Sequence, residues 1–173
     1  IVALSPLAIV FAMSFGVQRF STSTLQAMFW GFAVLMGLSL STIFLVYTGG
    51  SIAATFFATA GAFAGLSLYG YTTQRDLSGF GSFLIMGVIG LIIASVINLF
   101  LQSAALMWAV SFLGVLIFAG LTAYDTQRLK EQYAQLRGSE WAGKAVVMGA
   151  LSLYLDFINM FLFMLRFMGS SRN

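Results

Sequence analysis

The run AVVMGALSLYLDFINMFLFMLRFM, residues 145–168, decides the fold of this chain. Its 24 residues include two charged ones, Asp156 and Arg166. A helix rises about 1.5 Å per residue, so this run covers about 36 Å, enough to cross the hydrocarbon core of a bilayer. Because lipid cannot hydrogen-bond to the backbone, a run in that setting must be helical.

Five further apolar runs of similar length precede it, separated by short polar breaks. They cover residues 1–17, 24–47, 51–71, 80–101 and 104–124. The composition agrees, since 60% of the residues are hydrophobic and 8% are charged, whereas roughly a quarter of an ordinary soluble domain is charged. We therefore predict an all-α, polytopic membrane helix bundle in which residues 1–173 form a single transmembrane domain.

Positive charges lie in alternate breaks, which predicts the topology. Arg19 falls in the first break and Arg75 in the third, whereas the second and fourth breaks have no cation. The fifth break holds Arg128, Lys130, Arg137 and Lys144. The positive-inside rule therefore predicts that loop 126–144 is cytoplasmic. This orientation places Ile1 outside, so we expect one more span upstream, in a seven-helix parent of which six spans are present.

Two local patterns refine this bundle. Leu129, Tyr133 and Leu136 recur at helical spacing and Gly138 follows them, so the fifth helix is expected to continue beyond its span as an amphipathic extension. In the third span, Gly61–Gly65 is a small-xxx-small pair that favours close packing of helices.

Asp156 is the first candidate for a functional residue, because an ionised carboxylate in mid-span is costly unless it is paired, hydrated or protonated. It must therefore point into the bundle. Asn159 follows three residues later on the same helical face and is a candidate supporting residue. The alternative is a structural carboxyl group that is hydrogen-bonded and permanently neutral.

Asp125 ends the preceding span, where the alternative is an ordinary solvated residue at a helix–water boundary. Its helix and that of Asp156 are consecutive and antiparallel, so they are expected to be neighbours. Residue counting nevertheless separates the two depths by roughly 13 Å, unless tilt or a lower start of the first helix closes the gap. Two carboxylates at hydrogen-bonding range would share a proton, forming a pH switch without histidine that also attracts a hard cation.

Arg19 is the third candidate, at the predicted cytoplasmic end of the first span. Its guanidinium could reach a carboxylate and act as a latch. The alternative is a side chain that snorkels to the interface and marks the topology.

Three short strings carry a resemblance to a known family. They are LYLDFIN at residues 153–159, AYDTQR at 123–128 and RDLS at 75–78. In this order they resemble the bacterial branch of the Bax inhibitor-1 (transmembrane Bax inhibitor motif) family, over the whole chain.

The resemblance implies seven helices with the last one central, and a pH-sensitive calcium leak. It implies that the matching Asp125 and Asp156 form the proton sensor and that Arg19 matches a latch residue. Two departures leave fewer charges along the path: Ala8 stands where some members have an acid, and Asn159 stands where the animal branch has a second one.

The sequence thus predicts a pH-gated passive calcium leak rather than an enzyme. Asp125 and Asp156 are the expected transient calcium contacts; no cofactor and no nucleic-acid partner is expected. The expected partners are the lipid bilayer, cations and membrane proteins, and the expected location is the bacterial inner membrane. One alternative is a non-conducting adaptor in a protease or stress pathway. Another is an intramembrane aspartyl protease, which Leu153–Leu155 disfavours because such enzymes carry Gly-x-Gly before the second aspartate.

Overall fold

The computed structural model describes residues 5–169, and the side chains from residue 8 onward. Helices make up this part of the chain, joined by short turns. They are α1 (Ser5–Gly16), α2 (Thr22–Leu40), α3 (Ile43–Val46), α4 (Gly49–Thr72), α5 (Ser78–Leu101), α6 (Ala104–Leu136) and α7 (Trp141–Met168).

Five stretches are long and apolar enough to cross a membrane: Thr22–Val46, Gly49–Thr72, Ser78–Leu101, Ala104–Leu136 and Trp141–Met168. The first expected span covers residues 1–17. Its first four residues lie outside the described part of the chain, and Ser5–Gly16 form α1. The chain is an integral, multi-pass membrane protein built as a helical bundle.

The outer surface of the bundle is apolar, as in a membrane protein. Large apolar side chains point outward, such as Phe83, Met86 and Phe100 on α5, each more than 70% exposed. Small polar side chains point inward, and Thr59 on α4 is fully buried. Its hydroxyl donates to the Thr55 carbonyl at 2.7 Å, so its own helix satisfies it.

Hydroxyl side chains set several helix limits. Ser21, Thr48 and Ser103 cap α2, α4 and α6 by accepting a backbone N–H from the first turn. The expected run 24–47 is interrupted at residues 41–42. There the Ser41 hydroxyl donates to the Leu38 carbonyl at 2.7 Å, and such local bonds compete with the helical ladder.

The expected continuation of the helix is confirmed, since α6 extends to Leu136 and ends before Gly138, whose φ is +86°. Its apolar stripe is not buried throughout, because Tyr133 is 46% exposed. Helix α7 begins at Trp141, four residues before the apolar run that predicted it. The connection between α6 and α7 is therefore short, and loop 126–144 is mostly helical.

Helix α7 packs against α2, α4 and α6, and α6 packs against α4, α5 and α7. The interior is therefore shared by α6 and α7, and the expectation that α7 alone is central is confirmed only in part. Helices α4 and α6 approach each other closely at Gly70, where an added Cβ would lie 2.2 Å from the Ala123 carbonyl oxygen. The expected close packing at Gly61–Gly65 is wrong for the described residues, because a Cβ at either glycine would meet nothing within 4 Å. This face of α4 points away from the bundle.

Candidate functional site

The register between α6 and α7 positions the two aspartates. The rings of Trp108 and Phe167 lie 5.5 Å apart. Phe163 fills the space over Gly114, and Leu129 fills the space over Gly149. In this antiparallel register α6 begins about 5–9 Å beyond the end of α7.

That offset removes about 5–9 Å of the roughly 13 Å separation expected from residue counting. A lower start of α6 was the wrong explanation, because it would have widened the gap; α6 instead starts farther out than α7 ends. The remaining difference between Asp125 and Asp156 is about one helical turn, which side chains can bridge.

Asp125 and Asp156 are brought together. Their residues are 8% and 5% exposed, and the two carboxyl groups are close enough to interact electrostatically across the α6–α7 interface. Oδ2 of Asp156 is buried and accepts no hydrogen bond from the described residues. At an effective dielectric constant of about 20, two charges about 4 Å apart repel by about 4 kcal/mol. A proton held between the carboxyls removes that repulsion and supplies a donor.

Arg128 is the cation beside this pair, and the sequence had marked it only as a topology charge. Its Nη2 lies 3.4 Å from Oδ1 of Asp125, one turn along the same helix. Its guanidinium also lies over the Tyr124 ring, 5.6 Å from the centroid. The i, i+3 spacing was the available signal. Because the Arg128 side chain is 44% exposed, the ion pair itself stabilises the fold little.

Arg19 and Asn159 do not contact this pair. Arg19 is exposed in the turn after α1 and makes no ion pair with any residue that the structure describes. The Asn159 amide donates to the Leu155 carbonyl at 2.8 Å, one turn back on α7. The roles of latch and support therefore stay predictions.

A cavity of about 230 Å³ leads to Asp125. It lies at the end of the bundle that carries the α4–α5 and α6–α7 connections, which we term the loop end. Its lining is Asp125, Arg128, Leu129, Gln132, Met148, Gly149 and Ser152. The hydroxyl, amide and carboxyl groups make this loop-end cavity suitable for water or a cation.

A second cavity, of about 570 Å³, lies at the opposite end, which we term the far end, and Val110 and Arg166 are among its lining residues. Between the two cavities lies an apolar layer of Phe118, Leu121 and Met160, all at most 8% exposed. Phe163 stacks on Phe118 with ring centroids 5.9 Å apart. An ion would meet closely packed hydrocarbon here.

Gln127 joins the site helix to the α4–α5 loop, a role that its sequence context did not reveal. Its Oε1 accepts the Leu77 N–H at 2.8 Å, and its Nε2 donates to the Arg75 carbonyl at 2.7 Å. In the same loop, the Ser78 side chain and backbone N–H donate to Asp76 and hold its pKa below the usual 3.8. The loop is thus fixed to α6 two residues after Asp125.

Few acidic side chains are grouped in the part of the chain that the structure describes. No group of three or more His, Cys, Asp or Glu side chains that could hold a metal occurs among residues 5–169. Calcium prefers six to eight oxygen ligands. The expected calcium contacts, Asp125 and Asp156, supply two carboxyl groups.

Comparison with known proteins gives one family match and several relatives that match almost all of this chain. The family model described as "Inhibitor of apoptosis-promoting Bax1" matches residues 1–173. A Caulobacter vibrioides protein is 53% identical over 99% of this chain and 69% of its own length. "Inner membrane protein YbhL" of Escherichia coli K12 is 51% identical over 98% of this chain and 73% of its own length. A Rickettsia prowazekii protein is 48% identical over all of this chain and 73% of its own length.

Proposed function

We propose, from the premise that this chain belongs to the family of inhibitors of apoptosis-promoting Bax1, that it is a pH-gated passive leak for cations, calcium first among them. The proposal places it in a bacterial inner membrane, the location that the name of the Escherichia coli relative gives for that protein. It includes the cytoplasmic orientation of loop 126–144 and no catalytic step.

The single observation that carries the proposal is the contact between Asp125 and Asp156. Both carboxyls are buried, they come from different helices, and Oδ2 of Asp156 lacks a hydrogen-bond partner in the described structure. Structural carboxyls in apolar surroundings normally have every oxygen satisfied. A pair that is this close and incompletely satisfied is sensitive to the number of protons it holds.

The same pair lies at the α6–α7 interface, so its charge state acts on helix packing. With one shared proton the two helices attract each other at this point. With a different number of protons, repulsion or loss of the hydrogen bond favours separation, and α7 can shift against α6. Such a shift would loosen the apolar layer of Phe118, Leu121 and Met160, which otherwise blocks ions by excluding water.

Calcium is the proposed ion because hard cations prefer carboxylate, amide and hydroxyl oxygens. Asp125, Gln132 and Ser152 present such groups to the loop-end cavity. A site with few ligands binds weakly, and a leak requires an ion that can leave again. Arg128 limits the local negative charge while it stays paired with Asp125.

The test is calcium influx into liposomes that contain the purified chain, measured from about pH 5 to 8 with an enclosed indicator. Wild type should change its rate at least about fivefold across this range, whereas Asp125→Asn and Asp156→Asn should give profiles flat within about twofold. The control Asp76→Asn removes an exposed loop carboxyl whose hydrogen-bonding oxygen is kept. Its profile should match wild type. An unchanged pH profile in both Asp125→Asn and Asp156→Asn would contradict the proposal.

The two arginines separate two versions of the gate. Arg128→Gln should displace the pH midpoint without abolishing the response, since Arg128 contacts only one member of the pair. If instead Arg19→Gln displaces it and Arg128→Gln does not, the family's latch forms in a state other than the one described here.

The non-conducting adaptor is the second candidate, and the α4 face with Gly61 and Gly65 supports it. Nothing in the described chain covers these glycines, and small residues allow a foreign helix to approach closely. The adaptor needs a partner to act, whereas a leak does not. Calcium flux through the purified chain alone therefore discriminates between the two, and its absence would favour the adaptor.

A further inference from the structure

We infer that the far-end cavity binds the phosphate group of a membrane lipid through Arg166. This inference is independent of ion conduction. The cavity of about 570 Å³ lies between the ends of α5, α6 and α7. Its lining includes Asn98, Leu99, Ser103, Ala104, Met107 and Arg166.

Arg166 pairs with no acidic side chain among the described residues. The five acidic residues of the sequence are Asp76, Asp125, Glu131, Glu140 and Asp156. None of them lines this cavity, and Arg166 forms no ion pair within the described chain. Asp156 precedes it by ten residues on the same helix, about 15 Å away. The guanidinium lies over the Phe163 ring at 5.7 Å, which orients it without neutralising it.

Two of the polar lining residues, Asn98 and Ser103, have an occupied acceptor atom and a donor that forms no hydrogen bond with the described residues. Asn98 Oδ1 accepts the Ser103 N–H at 2.9 Å, which fixes the amide orientation and leaves its NH₂ group to the cavity. Ser103 Oγ accepts the Leu106 N–H at 3.2 Å, which leaves its hydroxyl proton. Donors together with a cation select an anion with several acceptor oxygens, and phosphate fits that description.

The start of α6 adds to the same field, because the positive end of the helix dipole lies at Ala104, one of the lining residues. This contribution is secondary to Arg166, which supplies a full charge.

The surroundings favour a lipid over a free ion. Leu99 and Met107 line the cavity and are 73% and 51% exposed, so its wall continues into the apolar outer surface. Trp108 and Phe167, beside the cavity, are also exposed, and aromatic residues of this kind concentrate at the membrane interface. Lipid phosphates lie at that depth, and their acyl chains would cover the apolar rim.

The test uses the full chain in a nonionic detergent with equal amounts of dioleoyl phosphatidylglycerol and dioleoyl galactosylglycerol, which has the same chains and no phosphate. Native mass spectrometry gives the ratio of the two bound lipids. Wild type should favour the phospholipid, and Arg166→Gln should lower the ratio about tenfold, the usual scale for a charge-assisted hydrogen bond. Arg166→Lys should retain part of the preference.

A second variant and a control make the result specific. Asn98→Asp keeps the acceptor for Ser103 N–H but places a negative charge in the cavity, so it should also lower the ratio. Arg75→Gln removes a cation at the opposite end and should leave it unchanged. An unchanged ratio in Arg166→Gln, or an equal loss in Arg75→Gln, overturns the inference. Radioactive inorganic phosphate that binds wild type but not Arg166→Gln, with unchanged lipid ratios, also overturns it by assigning the site to the free ion.

Discussion

Replacing Gly70 with alanine should weaken the fold at the depth of the aspartate pair. The added Cβ would lie 2.2 Å from the Ala123 carbonyl oxygen, whereas ordinary van der Waals contact begins at 3.4 Å. The obstacle is backbone, so no side-chain rotation relieves it, and α4 must move by about 1 Å relative to α6. Ala123 lies two residues before Asp125, so this movement displaces the α6 wall of the site.

The expected cost is about 1–3 kcal/mol in the free energy of unfolding, the range for overpacking a well-packed interior. Helix propensity offsets little of it, because membrane helices persist in the unfolded reference state. Gly61→Ala is the matched control on the same helix, since its Cβ meets nothing within 4 Å. Its stability should stay within about 0.5 kcal/mol of wild type.

Reversible unfolding in mixed micelles, followed by tryptophan fluorescence, provides the measurement. The difference between the two alanine variants is the decisive quantity, because both carry the same chemical change. If Gly70→Ala proves as stable as Gly61→Ala, the close contact between α4 and α6 does not exist and the packing described here is wrong at this crossing.

Three further changes test other parts of the structure. Gln127→Leu should destabilise the chain by about 2–3 kcal/mol in the same unfolding assay, because it leaves the buried Leu77 N–H without its acceptor; Gln127→Glu keeps that acceptor and should lose less. Ser67→Ala should be neutral or stabilising by up to about 1 kcal/mol, since the buried Ser67 hydroxyl makes no hydrogen bond in the described structure; a clear loss would reveal a missed partner. Asp76 should titrate below 3.8 by NMR, and Ser78→Ala should raise its pKa by removing the side-chain donor. Because the folded-state pKa is the lower one, this interaction stabilises the fold above the unfolded pKa and is lost as pH falls through the folded value.

The helical bundle could be predicted from the sequence because lipid leaves the backbone few options. Apolar runs of spanning length must be helices there. The end of α6 at Leu136 was also predictable, since the apolar period and Gly138 are both local signals. The interruption between α2 and α3 was not, because serine and threonine also bond to carbonyls within intact helices, as Thr59 and Thr122 do here.

The sequence predicts that Asp125 and Asp156 lie on neighbouring helices, but it does not predict that their side chains lie at the same depth. Consecutive antiparallel helices bring the two residues to adjacent helices, whereas their relative depth depends on how far one helix slides along the other. That offset is fixed by which bulky side chain covers which glycine: Phe163 covers Gly114 and Leu129 covers Gly149. With 18 glycines in the chain, residue types alone do not determine the pairing.

On α4, the glycine spacing predicted the wrong place for close helix packing. The pair Gly61–Gly65 permits a close approach, but a motif on one helix does not determine where another helix is available. The neighbour α6 crosses α4 nearer the loop end, at Gly70, where a single glycine suffices. The motif is left on the outer surface, where none of the described residues meets it.

In the proposed gate, the position of Arg128 determines which of the two aspartates loses a stabilising neighbour when the helices separate. Arg128 and Asp125 are on one helix, so their ion pair moves with α6 and survives any displacement of α7. Among the described residues Asp156 forms no ion pair, Asn159 donates to a carbonyl of its own helix, and Arg19 forms no ion pair either. When α7 moves, Asp125 remains paired with Arg128, whereas Asp156 loses the neighbouring carboxyl group of Asp125. In the proposed gate, opening therefore requires that water or a cation reach Asp156, which couples the arrival of the ion to the movement that admits it.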